Sequence, residues 1–68
     1  MIIAQRIKDL RTEKGITQEQ LAVTIEVNRS SVSNWESEVN EPKASYVAAL
    51  AKFFGVTADY LLGLDEYK

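Results

Sequence analysis

Apolar residues recur along this chain mainly at the spacing of α-helices. In five segments they stand three or four positions apart, which places them on one face of a helix. Helices of two or three turns are unstable alone, so we expect the five apolar faces to pack into one shared core. The residues predicted to be buried are Ile3, Ile7 and Leu10; Leu21, Ala22 and Ile25; Val32 and Trp35; Val47, Leu50, Ala51 and Phe54; and Leu61 and Leu62.

Glycine and capping residues mark where these helices begin and end. A glycine follows the first, fourth and fifth apolar stripes, which is typical of a helix C-terminus. Thr or Asn precedes the second, third and fifth stripes as a candidate N-cap, and Gln20 follows Thr17 at the spacing of a capping box. The glycines are Gly15, Gly55 and Gly63, and the N-caps are Thr17, Asn28 and Thr57. Residues 37–43 lack periodicity and contain Pro42, which predicts a loop.

The composition is that of a small globular domain and excludes several kinds of functional site. The chain has 68 residues, of which 46% are hydrophobic and 26% are charged, values typical of one folded domain. It contains no cysteine and no histidine, which excludes disulfide bonds, Cys/His zinc sites and nucleophile–histidine catalysis. No apolar run approaches the ~18 residues of a membrane span, and the N-terminus lacks a signal-peptide apolar region. We therefore expect a cytoplasmic protein that is not an enzyme, with no cofactor, metal or small-molecule ligand.

Residues 18–35 contain the most informative pattern. Two short helices are separated there by about three residues, 26–28, and a connection that short directs the second helix away at a steep angle. Val27 can fill the turn from inside, and the small Ala22 suits a point where two helices cross closely. This arrangement predicts a helix-turn-helix.

The chain from residue 7 to residue 63 resembles the Cro/lambda-repressor type of helix-turn-helix domain, the XRE family. The matching segments are IKDLRTEKGITQEQLA, VNRSSVSNWE, EP and LAKFFGVTADYLLG, in the family's order and spacing. The resemblance implies an all-α, compact five-helix lambda-repressor-like domain over residues 1–68, with its core in residues 3–63. We expect the short tail 64–68 to be frayed, because chain ends are often poorly ordered. It also implies a sequence-specific regulator of transcription that binds double-stranded DNA, of the phage-repressor kind.

The resemblance further implies that the second helix of the pair, residues 28–36, lies in the major groove of DNA. Its outward side chains suit base recognition, because Arg pairs with guanine, Asn with adenine and Ser with several bases. A solvated polar helix face is the alternative explanation for the same residues, and plain N-capping is the alternative for Thr17. The candidates for base contact are Arg29, Ser30, Ser33 and Asn34, and those for contact with the DNA backbone are Thr17, Gln18, Asn28 and Lys43.

The resemblance assigns a structural role to two charged residues. Arg11 on the first helix and Glu36 at the end of the predicted recognition helix occupy positions that the family joins in a partly buried ion pair. Such a pair would brace the recognition helix without reading bases. The alternative is two unrelated surface charges.

Two features depart from the family pattern. Glu26 occupies the turn position where the family usually has glycine, and a side chain at positive φ costs about 1 kcal/mol. The loop 37–43 carries Glu38 and Glu41 where relatives often have Lys, Arg or Gly. Carboxylates near phosphates weaken DNA binding, and the net charge of −2 gives no support to a nucleic-acid partner either. The local distribution of charge matters more than its sum.

One recognition helix reads about one half-site, so the resemblance implies a homodimer on a palindromic operator, with half-sites ~34 Å apart. The last helix and the tail provide candidate dimer contacts at Tyr60, Leu64 and Tyr67. Tyr and Leu left outside a small core suit an interface. Alternatively, Leu64 and Tyr67 fold back over the edge of the core.

A second class of function stays open at this stage. The acidic loop and the negative net charge are compatible with a protein-interaction module, such as an antitoxin or adaptor that retains the fold. An enzyme is disfavoured because the carboxylates are scattered over separate helices, without histidine or cysteine beside them.

Overall fold

The computed structural model describes residues 2–68 and shows five α-helices and no strand within that range. The helices are α1 (Ile2–Glu13), α2 (Gln18–Thr24), α3 (Arg29–Glu36), α4 (Ala44–Phe54) and α5 (Ala58–Leu62). The predicted all-α, five-helix class is therefore confirmed. Met1, the first residue of the predicted domain 1–68, lies outside the described residues.

All five helices contribute to one hydrophobic core. α2 packs against α3, α1 packs against both α3 and α5, and α4 packs against α5. Burying one Leu, Ile or Val side chain stabilises the fold by about 1.5–3 kcal/mol, so these contacts supply what the short helices lack alone. The largest fully buried side chains are Ile7, Leu21, Val32, Leu50 and Leu61, whereas Ile25 and Phe54 are half-buried against the core edge.

The assignment of Leu62 to the core was wrong. Leu61 is fully buried, but Leu62 is 46% exposed. The reason is geometric, because α5 has only five residues and neighbouring residues of a helix point 100° apart. A helix of little more than one turn can direct only one of two adjacent leucines into the core.

The capping predictions are confirmed at both threonines. The Gln20 N–H donates to the Thr17 hydroxyl at 3.1 Å, and the Thr17 N–H donates to Gln20 Oε1 at 2.8 Å, which completes the capping box. The Tyr60 N–H donates to the Thr57 hydroxyl at 3.0 Å. Asn28 takes the N-cap position of α3, but its side chain makes no capping hydrogen bond. α3 therefore starts without the side-chain cap that the sequence predicted.

The tail was predicted to be frayed, but residues 64–68 fold back along α5. The Arg6 guanidinium stacks 4.0 Å above the Tyr60 ring and donates to the carbonyl oxygens of Tyr60 and Asp65. The Thr57 N–H donates to the carbonyl of Lys68 at 3.1 Å. Hydrogen bonds from α1 and from the start of α5 thus hold the tail. No local sequence pattern indicates these contacts, because the partners lie far apart along the chain.

Two glutamates in the left-handed conformation bracket α3. Glu26 has φ of 61° in the turn before the helix, and Glu38 has φ of 66° just after it. The positive φ predicted for Glu26 is confirmed. A side chain in this region is strained by its own Cβ, a strain that glycine lacks.

Arg11 and Glu36 form the predicted ion pair. Arg11 Nε lies 2.7 Å from Glu36 Oε2, Arg11 Nη2 lies 3.0 Å from Glu36 Oε1, and the side chains are only 13% and 5% exposed. Arg11 Nη1 also donates to the carbonyl of Ile16 at 2.9 Å. The hydrogen bond to Glu36 raises the pKa of Arg11 above its ordinary value, against the opposing effect of burial. The pair ties α1 and the loop after it to the end of α3.

Replacing Glu26 by glycine should raise the free energy of unfolding by about 1 kcal/mol, because glycine adopts this φ without strain. Urea denaturation measures the difference. The matched control is Glu26→Ala, which keeps the Cβ and should gain nothing. A less stable Glu26→Gly protein would show that the Glu26 side chain makes a contact worth more than the strain.

Truncating one partner of the buried pair should destabilise the fold strongly. Arg11→Ala or Glu36→Ala should each cost about 3 kcal/mol, since the remaining charge stays buried without its partner. The double variant should recover part of that loss in thermal melts, and simple additivity of the two losses would contradict a direct coupling. Lys68→Ala is the control, because it breaks the ion pair with Glu13, whose members are both exposed, and should leave the melting temperature nearly unchanged.

Candidate nucleic-acid interface

The turn between α2 and α3 is fixed by local hydrogen bonds and by burial on its inner side. The Val27 N–H donates to the carbonyl of Ala22 at 2.9 Å, and the Glu26 N–H donates to the carbonyl of Val23 at 3.3 Å. Ala22 is buried where the helices meet, and Val27 packs against the core. The predicted helix-turn-helix is therefore present as a rigid unit.

The inner face of α3 is apolar and the outer face is polar. Val32 and Trp35 are buried, and the Trp35 ring lies 5.6 Å from the Tyr46 ring on α4. The four predicted base-contact residues stand on the other side of the helix, where they are exposed or half-exposed. Among residues 2–68, none of their side chains has a hydrogen-bond partner, so all four are available to a ligand. They are Arg29, Ser30, Ser33 and Asn34.

A shallow groove brings two groups of predicted site residues together. It runs between the loop after α1, the start of α2 and the start of α3. Arg29, a candidate for base contact, shares it with Thr17 and Gln18, which are candidates for backbone contact. The groove is lined by Arg11, Gly15, Ile16, Thr17, Gln18, Glu19 and Arg29.

Two other backbone-contact candidates lie outside this groove. Asn28 and Lys43 are the exposed N-cap residues of α3 and α4. Neither makes a side-chain capping bond. Both side chains are therefore exposed and not engaged in capping their helices. Asn28 directly precedes the recognition residues, whereas Lys43 stands beyond the loop that follows α3.

Sequence reasoning missed one contact in this region. The Gln18 side chain donates from Nε2 to Glu36 Oε1 at 3.2 Å and is half-buried. The two residues are 18 positions apart, so no helical spacing could have indicated the contact. Gln18 thus joins the ion pair of Arg11 and Glu36 at the edge of the groove.

The three predicted dimer residues differ in exposure. Leu64 is 75% and Tyr67 is 83% exposed, so neither folds back over the core. Tyr60 is half-buried under the Arg6 guanidinium. Two further apolar side chains, Leu62 and Ile2, are exposed near Leu64. A Cβ at Gly63 would lie 2.9 Å from the Ile2 side chain, which shows that Ile2 sits beside the segment carrying both leucines.

Residues 2–68 contain neither a membrane-spanning helix nor a metal-binding cluster. That part of the chain has no helix with the length and apolar character needed to cross a membrane. It also has no group of three or more His, Cys, Asp or Glu residues able to hold a metal ion.

Comparison with known proteins agrees with the geometry. The sequence model of a helix-turn-helix family matches residues 7–61. The chain is 42% identical over 62 residues to the HTH-type transcriptional activator BcrR of Enterococcus faecalis, covering 91% of this chain and 30% of that protein. It is 32% identical over 66 residues to the HTH-type transcriptional regulator ImmR of Bacillus subtilis, covering 97% of this chain and 52% of that one. The chain thus spans about a third to half of the length of these relatives.

Solved structures agree as well. The fold matches the P22 c2 repressor in complex with a synthetic operator with a TM-score of 0.88 and 31% identity, covering 96% of this chain and 98% of that one. It matches the N-terminal DNA-binding domain of SinR from Bacillus subtilis with a TM-score of 0.83 and 31% identity, covering 90% of each chain. From its motifs, its five-helix architecture and these matches, the chain belongs to the helix-turn-helix family of the Cro/lambda-repressor type, the XRE family.

Proposed function

We propose that this chain binds double-stranded DNA sequence-specifically and thereby regulates transcription, with α3 placed in the major groove. The observation that carries the proposal is the outer face of α3, where four polar side chains have no partner among residues 2–68. The inner face of the same helix is locked into the core. The P22 c2 repressor, which has the same fold, is solved in complex with an operator.

The residues on this face match base-edge chemistry. A guanidinium such as that of Arg29 can donate two hydrogen bonds to guanine, and the amide of Asn34 can both donate to and accept from adenine. Each such pairing discriminates against a wrong base by about 1–3 kcal/mol. Ser30 and Ser33 have short hydroxyl side chains that can serve several bases. We therefore assign specificity mainly to Arg29 and Asn34.

Contacts with the DNA backbone would set the register of α3 in the groove. Thr17 and Gln18 stand on the same side as Arg29, and Asn28 and Lys43 are exposed at the N-caps of the next two helices. Lys43 offers the charge contact among them. We also propose that the protein acts in the cytoplasm, because the relatives BcrR and ImmR are bacterial and bacterial DNA lies in the cytoplasm.

Acidic residues near this face should lower the affinity for DNA. Glu19 lines the same groove as Arg29, and Glu41 is exposed in the loop that follows α3. Their carboxylates repel phosphates through solvent, where salt screens the interaction. Binding to random DNA, which rests on phosphate attraction, should therefore be weak, and the specific contacts of α3 should decide where the protein binds.

We further propose a homodimer on a palindromic operator. The exposed Leu64 and Tyr67, with Tyr60 beside them, remain the candidate contacts, and Leu62 and Ile2 extend the apolar surface. Leu62 also lines an apolar groove between α4 and α5, together with Pro42, Ala44, Val47, Ala48 and Ala58. Two copies joined through this side could present their α3 helices to half-sites ~34 Å apart.

Selection of bound sequences from a random DNA pool tests the proposed function directly. A selected palindromic motif, bound with an affinity that falls as salt rises, is the expected result. Recovery of no motif, without salt-dependent DNA retention, would instead favour the protein-interaction module.

Arg29→Ala and Asn34→Ala should each weaken binding to the selected site by about 1–3 kcal/mol and relax the preference at one base pair. Fluorescence anisotropy with single-base operator variants measures both effects. Lys52→Ala is the matched control, because it removes an exposed cation on α4, outside the groove. Parental affinity and base preference in both variants would contradict the placement of α3 in the groove.

Leu64→Glu should impair dimerisation with little change in thermal stability, since Leu64 is 75% exposed. Sedimentation should show weak association of the parent, strengthened by the palindromic site and reduced in the variant. Val23→Glu is the control, because Val23 is similarly exposed on α2. A parent that stays monomeric at high concentration and binds half-sites without cooperativity would contradict the dimer.

A further inference from the structure

The amide of Gln18 is oriented by a buried carboxylate. Gln18 Nε2 lies 3.2 Å from Glu36 Oε1. A carboxylate only accepts hydrogen bonds, so the nitrogen end of the amide must face it. The same Oε1 accepts from Arg11 Nη2 at 3.0 Å, and the Glu36 side chain is 5% exposed. One carboxylate therefore connects the start of α2 with the end of α3 and with α1.

This contact is placed where other polar links between α2 and α3 are missing. The turn joins the end of α2 to the start of α3 through the bond between Val27 and Ala22. Among residues 2–68, the bond from Gln18 to Glu36 is the only side-chain hydrogen bond between α2 and α3. Apolar packing between the helices, as at Leu21 and Val32, is non-directional. The start of α2 and the end of α3 are the two ends that the turn does not join. A directional bond between them can restrict the crossing angle of the helices to a smaller range than apolar packing alone.

We propose that Gln18 is a positioning residue for DNA recognition, which acts through Glu36 to hold α3 at its angle to α2. The proposal rests on the proposed function, and it assigns one of the two N–H donors of the Gln18 amide to Glu36. The second donor stays available to a phosphate of the DNA backbone. The angle of α3 decides whether its outer side chains meet the base edges together, so Gln18 influences base recognition without touching a base.

DNA binding by Gln18→Met tests the proposal, because methionine has similar length and helix propensity but no donor. Affinity is measured well below the melting temperature, for the selected site and for random DNA. We expect about a tenfold loss on the selected site and almost none on random DNA. If the Gln18 side chain acted only through a phosphate, its loss would weaken binding to both DNAs equally, and equal losses would overturn the proposal. Glu19→Met, which changes the exposed neighbouring residue, is the control. It should not lower the ratio of the affinity for the selected site to the affinity for random DNA.

A second, independent test compares the melting temperatures of variants in the absence of DNA. Gln18→Glu places a second carboxylate against Glu36, so at pH 7 it should melt below Gln18→Met. The charged groups around this position are Arg11 and Glu36, with Glu19 and Arg29 lining the same groove. As the pH falls, protonation of the introduced carboxylate removes its repulsion by Glu36. The deficit relative to Gln18→Met should therefore shrink from pH 7 to pH 5.

Equal melting temperatures of Gln18→Glu and Gln18→Met at both pH values would overturn the contact between Gln18 and Glu36. These melting experiments contain no DNA. They therefore test the contact between Gln18 and Glu36 even when the parent protein binds no DNA. Absence of any sequence preference in the parent would overturn the proposed function instead, and the two failures are thereby distinguished.

Discussion

The buried carboxylate of Glu36 is the constraint on which the position of α3 depends. A charge that is 5% exposed is tolerated only with partners that compensate its lost hydration. Here Arg11 donates to both oxygens, and Gln18 adds a third hydrogen bond. Because the three residues belong to α3, α1 and α2, satisfying the charge requires a particular arrangement of all three helices. Apolar burial stabilises the fold, and we propose that this polar cluster selects the arrangement within it.

The two turns that flank α3, in contrast, contain a strained backbone. Both Glu26 and Glu38 hold positive φ, at positions where glycine would be free of strain. The chain thus carries local backbone strain on both sides of its recognition helix. This strain is small beside the burial of the shared core, which is why the fold accommodates it.

The proposed DNA-binding face and the proposed dimer face come from different parts of the fold. The four polar side chains proposed to meet base edges belong to α3, whereas Leu62, Leu64 and Tyr67 belong to the end of α5 and the tail. The tail can present its apolar side chains because Arg6 and Thr57 hold its backbone. BcrR and ImmR are longer than the present chain, which covers 30% and 52% of them.

The sequence by itself determined the number of helices, most of their boundaries and the helix-turn-helix. These features depend on side chains within about four positions of one another, as in the capping box of Thr17 and Gln20, so periodicity and spacing reveal them. The ion pair of Arg11 and Glu36 could be anticipated only through the family resemblance, because 25 positions separate its members. The exposure of Leu62, the ordered tail held by Arg6 and the bond from Gln18 to Glu36 were decided by the tertiary structure. Each depends on how packing brings together residues that are distant in the chain. A local sequence pattern contains no information about which distant residues will meet.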